Sequence, residues 1–410
     1  MSQYLDPIDA ANQPRENLIR YLLTAYPLRD PHLRHGFKRL LEEWGAIAQY
    51  PYLEGAQPYQ TGSNIQQLVN QSVLHPAMAR MFNPTRPLYK HQEDAIRAVV
   101  GQQENIVVAT GTGSGKTECF LIPMMDYLLK YSEVGMHALI LYPMNALVND
   151  QVKRLRQLLC RQGDDQALIR FGFYTSRTET EPQKAEEALK AELTASDRQE
   201  LLQLFTDEQR QSLDLSRPEY LVNAAMEQVL RVQATSRQEI WENPPHILVT
   251  NYSMLEHMLI RPRERESIFA TAHHFKLLVV DEAHSYSGST GTEVSMLIKR
   301  FKSAVGIEEE GQMQGIATSA TLGDRNDVDV ISQVTDFARD LFSEPFNQVI
   351  WGDRVSVDER LGSPYELLEG MAESDIYEYF YDLELPSLND PIEKWQEQVD
   401  LELVSDDKTG

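Results

Sequence analysis

Residues 105–121, NIVVATGTGSGKTECFL, carry the most specific chemistry in the sequence. The apolar run Ile106 to Ala109 predicts a buried parallel strand, and helical spacing of apolar residues follows from Glu118 to Lys130. A glycine-rich turn between a strand and a helix lets backbone N–H groups close around phosphate oxygens. The cradle consists of Thr110, Gly111, Thr112, Gly113, Ser114, Gly115, Lys116 and Thr117. Within it, Lys116 would reach the β- and γ-phosphates and Thr117 would offer its hydroxyl to Mg²⁺.

A pair of adjacent carboxylates ends a second apolar strand, in FKLLVVDEAH at 275–284. Downstream of a phosphate cradle, this pattern indicates nucleotide hydrolysis, in which positioning and charge neutralisation do most of the work. Asp281 would hold Mg²⁺, partly through water, and Glu282 would polarise the attacking water. His284 is placed to sense the phosphate state of the nucleotide.

A glutamine about 20 residues before the cradle is a candidate for reading the nucleotide base. The segment PLYKHQEDAI opens a helix from about His91. The amide of Gln92 can both donate to and accept from an adenine edge, and Tyr89 could stack on the ring.

The elements that position these residues alternate between strands and helices. Near-continuous apolar strands separated by helices predict a parallel sheet covered on both faces, with ligands at the carboxyl ends of the strands. Further strands are predicted at 137–143, 168–174, 246–252 and 314–321, helices at 145–160 and 328–342, and an edge strand in NQVIWGDRV.

The predicted organisation is α/β, with one sheet domain at 87–355 and an N-terminal helical accessory region at 1–86. An insertion at about 176–241 should contain two to four helices, because a structureless loop of that length is improbable. It could be a solvated decoration or a wedge that guides a partner or a strand. The tail, 356–410, is acidic and aromatic, and either folding on a partner or disorder suits it.

The composition has 62 acidic and 38 basic residues, a formal charge of −24, whereas nucleic-acid binders are usually basic. From Val357 onward there are 16 acidic and three basic residues, so more than half of the excess lies in the tail. The two cysteines form neither a metal spacing nor a disulfide framework, and no apolar run is long enough for a membrane span. A cytoplasmic protein without membrane contact is predicted.

As a set, the motifs resemble those of superfamily 2 DEAD/DEAH-box helicases. PLYKHQ is similar to the adenine-reading motif, TGTGSGKT to the first motif, DEAH to the second, and Ser319, Ala320 and Thr321 to the third, which couples hydrolysis to strand movement. Thr110 replaces the first glycine of the strict phosphate-loop pattern, as in this superfamily. The forms LYPMNALVNDQ and VTNYSMLEHMLIRP resemble those of bacterial MrfA- and Hrq-type DNA helicases and of large anti-phage helicases.

The resemblance, which covers about 87–324, implies a single RecA-like domain that binds ATP and Mg²⁺. It implies further that a nucleic-acid strand, with DNA favoured, runs along Pro143, Asn145 and Gln151. Backbone phosphates would be contacted by Thr250 and Asn251, with Thr175 and Arg177 as weaker candidates.

Helicases of this class need a second RecA-like domain with an arginine finger, and no matching motif follows Thr321. The expectation is therefore the ATP-binding half of a helicase or translocase. A partner chain or a longer parent protein would supply the other half. An RNA helicase and a nucleotide-dependent binding module that does not unwind remain alternatives.

Deleting 357–410 should leave single-strand binding unchanged or tighter, because a net charge of −13 repels phosphates at low salt. Fluorescence anisotropy with a labelled oligonucleotide measures the change. A large loss of affinity in a folded truncation would contradict the prediction.

Overall fold

The computed structural model describes residues 7–43, 45–48, 57–111, 113–131, 133–162, 168–193, 218–320 and 328–355. The chain divides into two compact units, Met1–Gln57 and Pro58–Gly410. The first unit contains helices α1 (Pro7–Ala25) and α2 (Pro31–Glu42). The Asp30 carboxylate accepts backbone N–H groups of the first turn of α2 and so fixes where that helix begins.

The second unit is built on an eight-stranded sheet in which every pairing is parallel, with the order β10-β3-β9-β8-β4-β7-β5-β6. A separate antiparallel pair, β1 (Thr61–Asn64) and β2 (Pro87–Tyr89), precedes it. The strands of the large sheet are β3 (Ile106–Ala109), β4 (Ala138–Tyr142), β5 (Phe171–Tyr174), β6 (Gln233–Ala234), β7 (Ile247–Asn251), β8 (Leu277–Val280), β9 (Gln314–Ser319) and β10 (Gln348–Trp351). This is the RecA-like α/β architecture that the sequence predicts.

Helices cover both faces of the sheet. They are α3 (Ile65–Asn70), α4 (Met78–Met81), α5 (Lys90–Ile96), α6 (Lys116–Lys130), α7 (Asn145–Leu159), α8 (Pro182–Glu192), α9 (Pro218–Val232), α10 (Arg237–Glu242), α11 (Tyr252–Ile260), α12 (Pro262–Glu264), α13 (Gly288–Ala304) and α14 (Val328–Phe342). Short π-helical turns follow α5 at Arg97–Gly101 and α12 at Arg265–Phe269, and a 3₁₀ turn spans Ala283–Ser285.

Two apolar clusters separate the helices into two layers. One cluster contains residues of every helix from α3 through α9 and lies on one face of the sheet. The other contains residues of α10, α11, α13 and α14 and lies on the opposite face. Strand residues alternate between the clusters: Val108 packs in the first and Val107 in the second. Both faces of the strands are therefore buried, which explains their unbroken apolar sequences.

The strands β1, β2 and β6 are not predicted by the sequence patterns. Strand β1 has the sequence TGSN, which lacks apolar alternation, and β6 is only two residues long. Pairing with β2 and β5 holds them in place, so local propensity gives no signal. Residues 58–86 lie in the second compact unit, and the predicted domain boundary at residue 86 stays a prediction.

The predicted insertion contains α8, α9 and α10 in its described part, while 194–217 and the acidic tail from residue 356 lie outside the described residues. Both cysteines, Cys119 and Cys160, are buried and unpaired. Within the described ranges, no helix is both long enough and apolar enough to cross a bilayer.

Gly315→Ala should destabilise the fold, because a Cβ at this position of β9 would lie 2.7 Å from Phe342 Cδ1 and 2.8 Å from Phe346 Cζ. Overpacking of this kind costs about 1–3 kcal/mol. Gly101→Ala is the matched control, since a Cβ there meets nothing within 4 Å. Urea unfolding of the two variants measures the difference, and equal midpoints would contradict the packing described here.

Candidate nucleotide site

The phosphate cradle connects β3 to α6 and is closed by internal hydrogen bonds. The Thr110 and Ser114 hydroxyls lie 2.5 Å apart and both side chains are buried. Gly113 and Gly115 have φ angles of 75° and 76°, a left-handed conformation that side chains disfavour. The Thr110 hydroxyl thus closes the loop through its contact with Ser114, at the position where the strict phosphate-loop pattern has glycine.

The central contact of the site joins Lys116 to Glu282. The Lys116 Nζ lies 3.1 Å from the Glu282 Oε1, although 166 positions separate the residues in the sequence. The Lys116 side chain is 9% exposed and that of Glu282 is 24% exposed, so water screens this pair only partly. Glu282 also has a φ of 49°, which is unusual for a residue with a side chain. The cradle and the acidic motif thus meet at one point.

Asp281 is held from the neighbouring strand β9. The Thr318 hydroxyl donates to Asp281 Oδ1 and accepts the backbone N–H of Glu282 at 3.1 Å. Burial raises the pKa of the Asp281 carboxyl, the Thr318 hydrogen bond opposes this, and the Glu282 charge adds to it. A buried carboxylate with a raised pKa gains from a nearby cation, which would favour its charged form.

His284 links the acidic motif to the third motif. Its Nδ1 lies 3.3 Å from the Ser319 hydroxyl and accepts the backbone N–H of Ala320 at 3.4 Å. The same ring nitrogen is 3.4 Å from Glu282 Oε2. His284 therefore touches both a predicted catalytic carboxylate and two of the predicted coupling residues, whereas Thr321 lies outside the described residues.

The predicted base-reading residues pack directly against the cradle. The Gln92 Nε2 donates to the Gly115 carbonyl at 3.0 Å, and Gln92 Oε1 accepts the Tyr89 N–H at 2.9 Å. His91 Nε2 lies 2.9 Å from the Ser114 carbonyl, which can only accept, so this nitrogen carries the hydrogen. Burial lowers the pKa of His91, which favours the neutral ring. The Tyr89 ring stacks on His91 with centroids 5.6 Å apart.

A cavity of about 520 Å³ brings these groups together. It contains Tyr89, Gln92, Gly113, Gly115, Lys116, Thr117, Asp281 and Glu282 from the predicted site. Its wall also includes Phe82, Arg86, Glu118 and Arg154, which the sequence analysis does not identify. Glu118 and Arg86 had a local signal, since Glu118 directly follows Thr117 and Arg86 directly precedes the PLYKHQ segment. Phe82 and Arg154 reach the cavity through tertiary packing.

The structure places the residues predicted to line a nucleic-acid strand in several different environments. Gln151 lines the nucleotide cavity. Thr250 is fully buried and its hydroxyl donates to the Tyr174 carbonyl at 2.5 Å, and the Asn251 side chain accepts the Met254 N–H at the start of α11. Thr175 is also buried, while Arg177 is exposed. Strand contacts by these residues stay predictions.

Three predicted residues are only partly described. Thr112 and the Asn145 side chain lie outside the described residues, and Pro143 is half-buried just after β4. No group of three or more His, Cys, Asp or Glu side chains suited to a metal ion occurs in the described ranges.

The family follows from these features together with the sequence comparison. Residues 89–223 and 223–330 match the DEAD/DEAH box helicase family. The match covers more than half of the chain and contains the cradle, the acidic motif and Ser319. The chain therefore belongs to the DEAD/DEAH box helicase family.

Individual relatives are considerably longer. The chain is 31% identical to Druantia protein DruE of Escherichia coli over 90% of its own length and 23% of that protein. It is 25% identical to ATP-dependent helicase HRQ1 of Saccharomyces cerevisiae, over 57% of this chain and 16% of HRQ1. The solved structure of DUF1998 helicase MrfA bound to DNA and AMPPNP aligns with a TM-score of 0.46 at 20% identity, covering 72% of this chain and 30% of that one. The chain thus spans about a quarter or less of these curated relatives.

Lys116→Ala should weaken binding of a fluorescent ATP analogue by about tenfold to a hundredfold, since a charge-assisted contact to phosphate is lost. Lys299→Ala, on the exposed surface of α13, is the matched control. Fluorescence titration measures both affinities. Equal affinities in folded proteins would show that the cradle does not hold the phosphates.

Proposed function

We propose that this chain is the ATP-binding half of an ATP-dependent DNA helicase or translocase. The contact between Lys116 and Glu282 is the single observation that carries the proposal. It joins a phosphate-binding cation to a carboxylate that can polarise water, in a cavity large enough for a nucleotide. The ATP-dependent helicase activity named for HRQ1 supports the same reading.

The oxygen-rich side of the cavity fits Mg²⁺. Thr117 supplies a hydroxyl and Asp281 a buried carboxylate, which are ligand types that Mg²⁺ prefers. These two residues would hold the ion, which would supply charge neutralisation for the phosphates. Lys116 contributes a second positive charge next to the acidic motif, 3.1 Å from Glu282 Oε1.

The chain's own residues divide the remaining work. Gln92 and Tyr89 orient the base, and Arg86 and Phe82 complete the wall around it. Glu282 accepts a hydrogen bond from the attacking water and orients it. His284 connects this carboxylate with Ser319 and Ala320, so it is suited to report the nucleotide state to the strand-binding surface.

Nucleic acid is the proposed partner. DNA is favoured because the sequence segments around Asn145 and Asn251 resemble those of bacterial MrfA- and Hrq-type DNA helicases. An anti-phage role is the proposed biological setting, which the similarity to DruE along 90% of the chain supports. A cytoplasmic location is part of the same proposal.

The second half of the motor is the other proposed partner. The relatives extend far beyond the length that this chain matches. A second RecA-like domain, on a partner chain or in a longer parent protein, would close over the nucleotide and supply an arginine finger.

The 410-residue chain should bind ATP but release phosphate slowly with single-stranded DNA and Mg²⁺, because an arginine finger contributes about 10³–10⁵ in rate at comparable sites. Adding a second domain should raise the rate of phosphate release. The Glu282→Gln variant should still bind nucleotide, but a second domain should no longer raise its rate. Phosphate release measures both effects.

Turnover near one per second by the chain alone would contradict the need for a second domain. Stimulation that survives Glu282→Gln would exclude Glu282 as the water-orienting residue. Replacing the DNA strand by RNA of the same sequence tests the preferred nucleic acid.

A further inference from the structure

An ion pair lining the nucleotide cavity joins helix α6, predicted to bind nucleotide, to helix α7, predicted to contact the nucleic-acid strand. The Nη2 of Arg154 on α7 donates to Oε1 of Glu118 in the first turn of α6. Both side chains line the cavity together with Lys116 and Thr117. The Arg154 side chain is 42% exposed and that of Glu118 24%, so the pair is accessible from the cavity.

The position of Glu118 creates an electrostatic problem for a nucleotide site. It directly follows Thr117, and a Cβ built at Gly115 would lie 3.1 Å from Glu118 Oε2. This second oxygen is buried and accepts no hydrogen bond from the described residues. An uncompensated carboxylate this close to the cradle would repel the phosphates of ATP.

Arg154 supplies the opposite charge from a different element. Arg154 lines the same cavity as Asp281 and Glu282. It also follows Gln151 by three positions, so both side chains face the cavity from one side of α7.

Helix α7 begins at Asn145, and only Pro143 and Met144 separate it from the end of β4 at Tyr142. Its first two turns carry Asn145 and Gln151, two of the residues that the family resemblance assigns to the nucleic-acid strand. One helix thus connects the proposed strand path with the charge that balances Glu118. A shift of α7 would change the distance between Arg154 and Glu118, and hence the charge that the phosphates meet.

We propose that the ion pair between Arg154 and Glu118 couples strand binding to nucleotide affinity, with Arg154 acting as a positioning residue that neutralises Glu118. The inference rests on the proposed function, because it requires both a nucleotide and a strand. Coupling of this kind is reciprocal, so nucleotide should change strand affinity by the same factor.

The experiment compares the whole chain with Glu118→Gln, Arg154→Gln and the double variant, which removes both charges. Glutamine keeps the shape of Glu118, and at position 154 it leaves a shorter, uncharged polar side chain. Titration uses fluorescent AMPPNP with Mg²⁺, with and without saturating single-stranded oligothymidine. Arg154→Gln should bind nucleotide about tenfold more weakly at low salt, and less so at high salt, because Glu118 is left uncompensated. Glu118→Gln should bind at least as tightly as the unmodified chain, and the double variant within about threefold of it.

Two results would overturn neutralisation of Glu118: unchanged affinity in Arg154→Gln, or a double variant as weak as Arg154→Gln. The second would mean that Arg154 contacts the phosphates directly. For the coupling, the strand should change the nucleotide affinity of the unmodified chain. It should change the affinity of all three variants by a smaller factor. Equal factors in the unmodified chain and the variants would overturn the coupling. Lys116→Ala separates this inference from the proposed function, since normal binding by that variant would refute the nucleotide site itself.

Discussion

The contact between Lys116 and Glu282 is the interaction on which the site depends. It brings a cation from the start of α6 to a carboxylate at the end of β8, two strands away from β3 in the sheet. Each charge lies in a partly buried position that would be costly without its partner. Phosphate oxygens would compete with Glu282 for Lys116, which would free the carboxylate to orient water. The same contact therefore links the cradle to the acidic motif and defines what a nucleotide must displace.

The register of the parallel sheet makes this contact possible. Strand β9 lies between β3 and β8, and it pairs Ala109 with Ser319 and Val280 with Ala317. The cradle, the acidic motif and the third motif consequently leave the sheet at the same edge. Thr318 then fixes Asp281 and the backbone of Glu282, while His284 reaches back to Ser319. A slip of one residue in β9 would turn Thr318 away from Asp281.

Sequence patterns were sufficient for the central strands and for the charged residues at their ends. Strand β3 and helix α14 occur at their predicted bounds, because buried apolar runs and helical spacing both depend on local sequence. Strands β1 and β6 were missed because pairing with distant strands stabilises them. The same reason applies to Phe82 and Arg154, which reach the cavity only through tertiary packing. Thr250 and Asn251 show the converse limit: their side chains already make buried hydrogen bonds inside the domain, so motif identity alone does not establish a strand contact.

A structure of the chain with Mg²⁺ and a non-hydrolysable ATP analogue tests the central claim most directly. The account predicts that Lys116 Nζ leaves Glu282 and lies within hydrogen-bond distance of a β- or γ-phosphate oxygen, with Thr117 and Asp281 on the side of the ion. Density for the nucleotide elsewhere, with Lys116 still bound to Glu282, would contradict it.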